Sequence, residues 1–235
     1  MRNRSIQWFI QWVIALSVPL LLVIGSVRVV MTPLFLQLEY TRDDFQPDFY
    51  GFTTEDRLAY GPYGVEYILN GEDISYLGEL TLPGEKCWPA QSSPCSMFND
   101  FELQHMVDVK NVAQAAFAVA LVDLVLIVII CVLFWRDYQK NILLGIQSGS
   151  LITIGAIIAI VVAALVAWDE FFNLFHALFF TEGTWQFLYS DTLIRLYPEQ
   201  FWFEAALVIG GITSLGAVIL FLFSRYKLHQ RLDSA

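Results

Sequence analysis

Residues Val112 to Trp135 read VAQAAFAVALVDLVLIVIICVLFW, 24 residues in which Asp123 is the one charged side chain. At 1.5 Å per residue a helix of this length covers about 36 Å, enough to cross a hydrocarbon core of about 30 Å. Inside that core a free backbone N–H or C=O has no partner, so the stretch must be helical. Three more stretches have the same character, at 6–31, 142–168 and 201–224. With 57% of its 235 residues hydrophobic and a mean hydropathy of +0.56, the chain is too apolar for a soluble domain of this length. The expected fold class is therefore all-α integral membrane. A four-helix transmembrane bundle, read as one membrane domain over 1–235, carries a small extracytoplasmic cap at 32–105 and an interfacial helix within 169–200.

Charge sets the expected orientation. Arg2 and Arg4 precede the first span, Arg136 and Lys140 lie between the second and third, and Arg225, Lys227 and Arg231 follow the fourth. Short basic segments stay in the cytoplasm, so both termini are expected inside and segments 32–105 and 169–200 outside. Most of the net charge of −10 comes from those outer segments, and no basic surface for nucleic acid is present. The first apolar run is too long for a signal-peptide core and lacks a small-x-small cleavage site, so it is read as a retained span.

The cap is acidic and aromatic over Glu39–Asp56. Gly61-Pro62-Tyr63-Gly64 reads as a turn, with a short strand or helix at Val65–Leu69. Ile74–Leu82 is rich in β-branched and aromatic residues and ends at Pro83-Gly84, so strand pairing closed by Cys87 and Cys95 is expected. A disulfide is the expected state of that pair outside the membrane, with a metal pair as the lesser reading. Cys131, deep in the second span, reads as a small apolar packer. Asn99 and Asp100 are positioned to cap a helix running into the second span. Glu102, His105, Asp108 and Lys110 are then expected on its wet or interfacial turns.

Segment 169–200 begins DEFFNLFHALFF and is unusually aromatic. As a continuation of the third span it would make a helix of about 58 Å, beyond the bilayer. A bend near Trp168-Asp169 and an interfacial helix are expected, with Asp169, Asn173 and His176 as a polar stripe. Gly145-x-x-x-Gly149 and Gly210-x-x-x-Ser214 read as helix-packing patterns. Asp123 is a costly charge within a span. It reads either as a polar contact between helices or as part of a proton path.

Of three histidines, His229 falls in the cytoplasmic tail and is assigned no role. His105 and His176, 71 positions apart, are brought to the same outer face by topology alone. Imidazole is the side chain suited to moving protons near neutral pH. One histidine at an interface is often only an amphipathic anchor, but a pair with acidic or amide neighbours (Glu102 and Asp108; Asp169 and Asn173) points to chemistry. No Gly-x-Ser-x-Gly elbow, P-loop or Rossmann motif is present, so neither a serine nucleophile nor a nucleotide is expected. Zinc would need two histidines and a carboxylate, without any His-x-x-x-His or His-Glu-x-x-His pattern.

Glu102-Leu-Gln-His105-Met-Val-Asp108-Val-Lys110 resembles the E-L-x-H-M-x-D-V-K signature of a family of four-span bacterial membrane proteins that includes the lipoprotein intramolecular transacylases. Phe172–Phe180, Trp185 and Asp191–Glu199 are similar to the family as well. The cap over 40–98 matches loosely, and the Cys87–Cys95 pair is not a family feature. The resemblance implies an enzyme of the bacterial cytoplasmic membrane. It moves the sn-2 acyl chain of a lipoprotein's diacylglyceryl group to the α-amine of the lipoprotein's N-terminal cysteine, with His105 and His176 as the essential residues. The partners are then a diacylglyceryl-modified lipoprotein and membrane lipids.

An amide is more stable than an ester and the substrate carries its own nucleophile, so no cofactor is expected. A base must take a proton from the amine, whose pKa is about 8, and a donor must reach the leaving glyceryl oxygen. Arg195 is a candidate oxyanion donor, with Lys110 or a backbone amide as alternatives. Glu102, Asp108 and Asn173 are supporting candidates. Phe172, Phe175, Phe179, Phe180 and Trp185 are expected to cover the acyl chains. The two imidazoles should lie within about 10 Å, close enough to flank one ester carbonyl. Two other readings stay open at this point: another outer-leaflet lipid enzyme, zinc-dependent, and a non-catalytic scaffold or small transporter.

Overall fold

The computed structural model describes residues 3–181 and 183–233. Arg2, one of the orienting charges, lies outside them. The chain divides into two compact units.

The first unit takes in the chain up to Val29, Ala116–Trp168, and the chain from Leu207. Its elements are α1 (Arg4–Val30), most of α5 (Asp100–Val166) and most of α8 (Glu199–Asp233), all three long and apolar enough to cross a membrane. The 67 residues of α5 would reach about 100 Å as one straight rod. The run is broken at Tyr138, whose backbone leaves the helical region (φ −123°, ψ 19°). A one-residue break thus stands where the sequence suggested a loop. Gly145 and Gly149 face α1, where an added Cβ would come within 2.7 Å of Gln11 O and of Val18 Cβ respectively. Only a missing side chain permits that approach. Ile10, Ile14, Val18, Ile130 and Ile142 form the apolar centre, with Cys131 packed against it. Polar contacts also cross between helices: Ser17 Oγ donates to Asp123 Oδ1 at 2.7 Å, and Thr213 Oγ1 to Ser26 Oγ at 2.9 Å. Asp123 is thus a helix–helix contact here.

The second unit comprises Val30–Ala115 and Asp169–Ala206. Its elements are α2 (Pro33–Tyr40), α3 (Thr54–Leu69), α4 (Ser75–Gly78), β1 (Thr81–Leu82), β2 (Cys95–Ser96), the first turns of α5, α6 (Trp168–Phe179), α7 (Thr192–Leu196) and the start of α8. β1 and β2 pair antiparallel, Leu82 opposite Cys95, and Cys95 is disulfide-bonded to Cys87. The run Ile74–Leu82 is only partly strand, because Ser75–Gly78 winds into one helical turn.

Gly61-Pro62-Tyr63-Gly64 is not a turn. It lies inside α3, which opens with a capping box between Thr53 and Asp56. The glycines admit neighbours: a Cβ on Gly61 would sit 3.0 Å from the Tyr40 ring, and one on Gly64 would sit 2.5 Å from Tyr197 Oη. Tyr197 Oη donates to Gly61 O across this gap. The five-residue helix α7 is held at both ends by side chains from elsewhere. Leu193 N donates to Glu102 Oε1 at 2.7 Å. At the other end Arg195 O accepts from Arg57 Nε at 2.9 Å, and Leu196 O accepts from Tyr40 Oη at 2.8 Å. Helix ends leave such groups unpaired, and these contacts satisfy them without water.

Candidate active site

His105 is placed by the opening of α5. Asn99 Oδ1 accepts from Glu102 N at 3.0 Å while Glu102 Oε2 accepts from Asn99 N at 2.8 Å, a reciprocal cap. His105 stands one turn further on the same face, and the second oxygen of Glu102 reaches α7 through Leu193 N. Asn99 Nδ2 also donates to Asp191 Oδ1. Glu102 is thus buried as a brace, a correction to its expected wet position. Burial pushes its carboxyl up to about 7 against the pull of the N–H bonds it accepts.

His176 is placed by α6, which starts just after α5 ends at Val166, close to the expected bend. Its Nδ1–H donates to Phe172 O, one turn back, at 2.8 Å. A carbonyl can only accept, so this bond fixes the proton on Nδ1 and leaves the Nε2 lone pair free in the neutral ring. Burial lowers the pKa of His176.

The two imidazoles stack, with centroids 6.3 Å apart and planes 23° apart, inside the expected separation. Phe180 lies 4.9 Å and Phe187 5.3 Å from His105. Phe172 lies 4.1 Å and Trp185 4.7 Å from His176. Within this apolar wall a charged imidazole is disfavoured. Burial first, and then the charge of His176, lower His105 to about 4. Both rings are therefore neutral at pH 7. His105 Nδ1 is buried and, among the described residues, has no hydrogen-bond partner. Asn173, Ala177, Trp185 and Gln186 line an open cleft of about 390 Å³ against the same helix.

The other expected residues divide. Phe175 and Phe179 lie along the outer side of α6, half exposed, with Phe175 5.6 Å from His176. Asp108 is tied to Gln104. Lys110 is not wet: it is buried, donates to Asn70 Oδ1 at 3.1 Å and Glu72 O at 2.5 Å, and lies over the Tyr67 ring. Arg195 is corrected most. It is 2% exposed, and its guanidinium donates to Asp48 Oδ2 at 3.2 Å, Lys86 O at 3.0 Å and Tyr50 O at 3.1 Å while resting on Phe52. These partners all belong to the cap segment, so Arg195 holds the cap together.

Phe187 stands in the aromatic segment 169–200, and no motif marks it apart from its neighbours. Arg57, Asp48, Tyr40 and Tyr197 carry no local sequence signal, since their partners lie up to 156 positions away.

Membrane-crossing helices, a disulfide-closed cap and a stacked histidine pair walled by aromatics define an integral membrane protein with acid–base groups beside an apolar, lipid-suited surface. The chain belongs to the lipoprotein intramolecular transacylase (Lit) family, whose sequence model matches residues 12–202, and it is thereby an acyl-transferring enzyme of the membrane. The structure of the membrane integral Lit from Bacillus cereus superimposes with a TM-score of 0.81 at 21% identity, over 98% of this chain and 100% of that one. The same Bacillus protein with one histidine changed to arginine gives a TM-score of 0.73 at 21% identity, over 98% and 96% of the two chains. An uncharacterised protein of Aquifex aeolicus is 29% identical over 197 residues, 83% of this chain and 84% of that protein.

Proposed function

We infer that this protein transfers the sn-2 acyl chain of a diacylglyceryl-modified lipoprotein to the α-amine of that lipoprotein's N-terminal cysteine, releasing a lyso-form lipoprotein. The observation that carries this reading is the stacked pair of neutral imidazoles 6.3 Å apart within an aromatic wall. His176 is the base: with Nδ1–H held by Phe172 O, its Nε2 lone pair takes the proton lost by the attacking amine. His105, whose protonated form is disfavoured, passes a proton to the leaving glyceryl oxygen instead of keeping it. Amine and ester belong to one substrate molecule, so holding them together supplies much of the rate. Phe172, Phe180, Trp185 and Phe187 exclude water and receive the acyl chain. Glu102, Asp108 and Asn173 support the two helices that carry the histidines.

The chain crosses the bacterial cytoplasmic membrane four times, at 6–31, 112–135, 142–168 and 201–224, with both termini inside and the histidines at the outer face. The break at Tyr138, between Arg136 and Lys140, supports a short cytoplasmic turn.

The test is mass spectrometry of a lipoprotein N-terminal peptide from cells making this protein, beside His105→Ala and His176→Ala variants at equal abundance. One acyl chain moved onto the cysteine amine, only with both histidines intact, is the expected result. An unchanged diacyl peptide in cells holding folded, inserted protein removes the assigned reaction.

A further inference from the structure

The oxygen of an ester carbonyl becomes negative when an amine adds to it, and a donor fixed beside that oxygen is usually the largest single source of rate. The two cations expected there are occupied. Arg195 donates to Asp48, Lys86 O and Tyr50 O, and Lys110 to Asn70 and Glu72 O. Trp185 differs. Its Nε1 is buried and, among the described residues, finds no acceptor. An indole N–H can only donate, and leaving one buried and unpaired costs about 1–3 kcal/mol. Its ring lies 4.7 Å from that of His176 with planes 30° apart, so the two rings lie side by side. Trp185 also lines the cleft with Asn173, Ala177 and Gln186.

We propose that the indole Nε1–H of Trp185 is the donor that stabilises the tetrahedral oxyanion during acyl transfer, an assignment that rests on the transacylase reading above. The cysteine α-nitrogen bonds to the ester carbon, and the carbonyl π pair moves onto oxygen, where Trp185 Nε1–H donates to it. His176 takes the amine proton. The pair on oxygen returns, the bond from carbon to the sn-2 glyceryl oxygen breaks, and that oxygen leaves with its pair and receives the proton through the imidazoles. One ester and one amine become one amide and one alcohol, with no other reactant. A neutral donor also suits an aromatic wall that would raise the cost of a full cation.

The test uses the purified full chain and a diacylglyceryl lipopeptide. Trp185→Phe removes the N–H with part of the ring. A second variant with 3-benzothienylalanine at position 185 keeps the bicyclic shape and replaces only the N–H by sulfur, so it stays informative if Trp185→Phe fails to fold. A fall in kcat of about 100-fold in the second variant, with KM within about threefold, is expected. Affinity for a lipopeptide with a phosphonate in place of the ester carbonyl should fall by the same factor, and affinity for the matching ether should not change. A benzothienylalanine variant with wild-type kcat, or one whose whole loss is in KM, overturns the assignment. His176→Ala runs alongside. If it is inactive while the position-185 variants are active, only the donor assignment falls; if it turns over like wild type, the acid–base reading falls and the donor role with it.

Discussion

Arg195→Met separates two roles for the buried guanidinium that α7 carries. Methionine keeps an apolar stem but donates nothing. The change takes the ion-pair partner from the carboxylate of Asp48, whose side chain is 4% exposed and which keeps the N–H of Phe52 at 2.7 Å. Removing one partner of a buried ion pair costs about 3–5 kcal/mol. Losing the bonds to Lys86 O and Tyr50 O adds about 1 kcal/mol more. At about 2–4 °C per kcal/mol for a chain of this size, the melting temperature should drop by roughly 10–20 °C. Asp48→Asn removes the carboxylate charge, so Arg195→Met/Asp48→Asn should be less damaged than the sum of the single changes, by about 2–3 kcal/mol. The assay is tryptophan-fluorescence melting in detergent, with transacylation measured per folded molecule, where kcat should stay within about threefold of wild type. An Arg195→Met protein that melts with wild type but has lost its turnover would refute the cap assignment and return the guanidinium to the reacting atoms.

The other predictions follow from single contacts. Reducing Cys87–Cys95, or changing both to serine, should cost about 2–3 kcal/mol, read as a lower melting temperature for the oxidised protein after reductant is added. Gly64→Ala puts a Cβ 2.5 Å from Tyr197 Oη; it should destabilise by about 1–3 kcal/mol, and the added change Tyr197→Phe should recover part of that. His105 falls from 6.5 to about 4 and His176 is lowered too. The unfolded chain therefore binds protons that the folded one refuses, and stability is intact above 6.5 and lost as pH falls through about 4. In activity, log kcat/KM should fall with a slope of one below the amine pKa of about 8 and keep that slope past pH 6.5; steepening to two at 6.5 would show a base of ordinary pKa. Glu102 has the opposite sign. Its carboxyl, raised from 4.5 to about 7, contributes stability that is complete below 4.5 and lost as pH rises through 7, and Glu102→Gln should flatten that part of the stability profile.

What the sequence determined by itself was set by local rules. Runs as long and apolar as Val112–Trp135 must be helical in lipid whatever surrounds them. Asn99 was legible as a cap of the helix that follows it, as were the bend before Asp169 and the small-residue contacts of Gly145 and Gly149. The nearness of His105 and His176 was legible too, because the expected topology puts both on one face. Tertiary structure decided the rest. Gly61 and Gly64 look like turn residues until Tyr40 and Tyr197, far away in the chain, fill the space their missing side chains leave. Glu102, Lys110 and Arg195 look alike as polar residues near a site. Only packing shows that each is consumed by backbone groups or an ion pair that would otherwise be buried unpaired. The proton on His176 depends on a carbonyl one turn back, and the unused N–H of Trp185 on the lack of any acceptor beside it among the described residues. A buried polar group must be satisfied by whatever lies next to it, and which group lies next to it is decided by the folded chain, not by spacing along it.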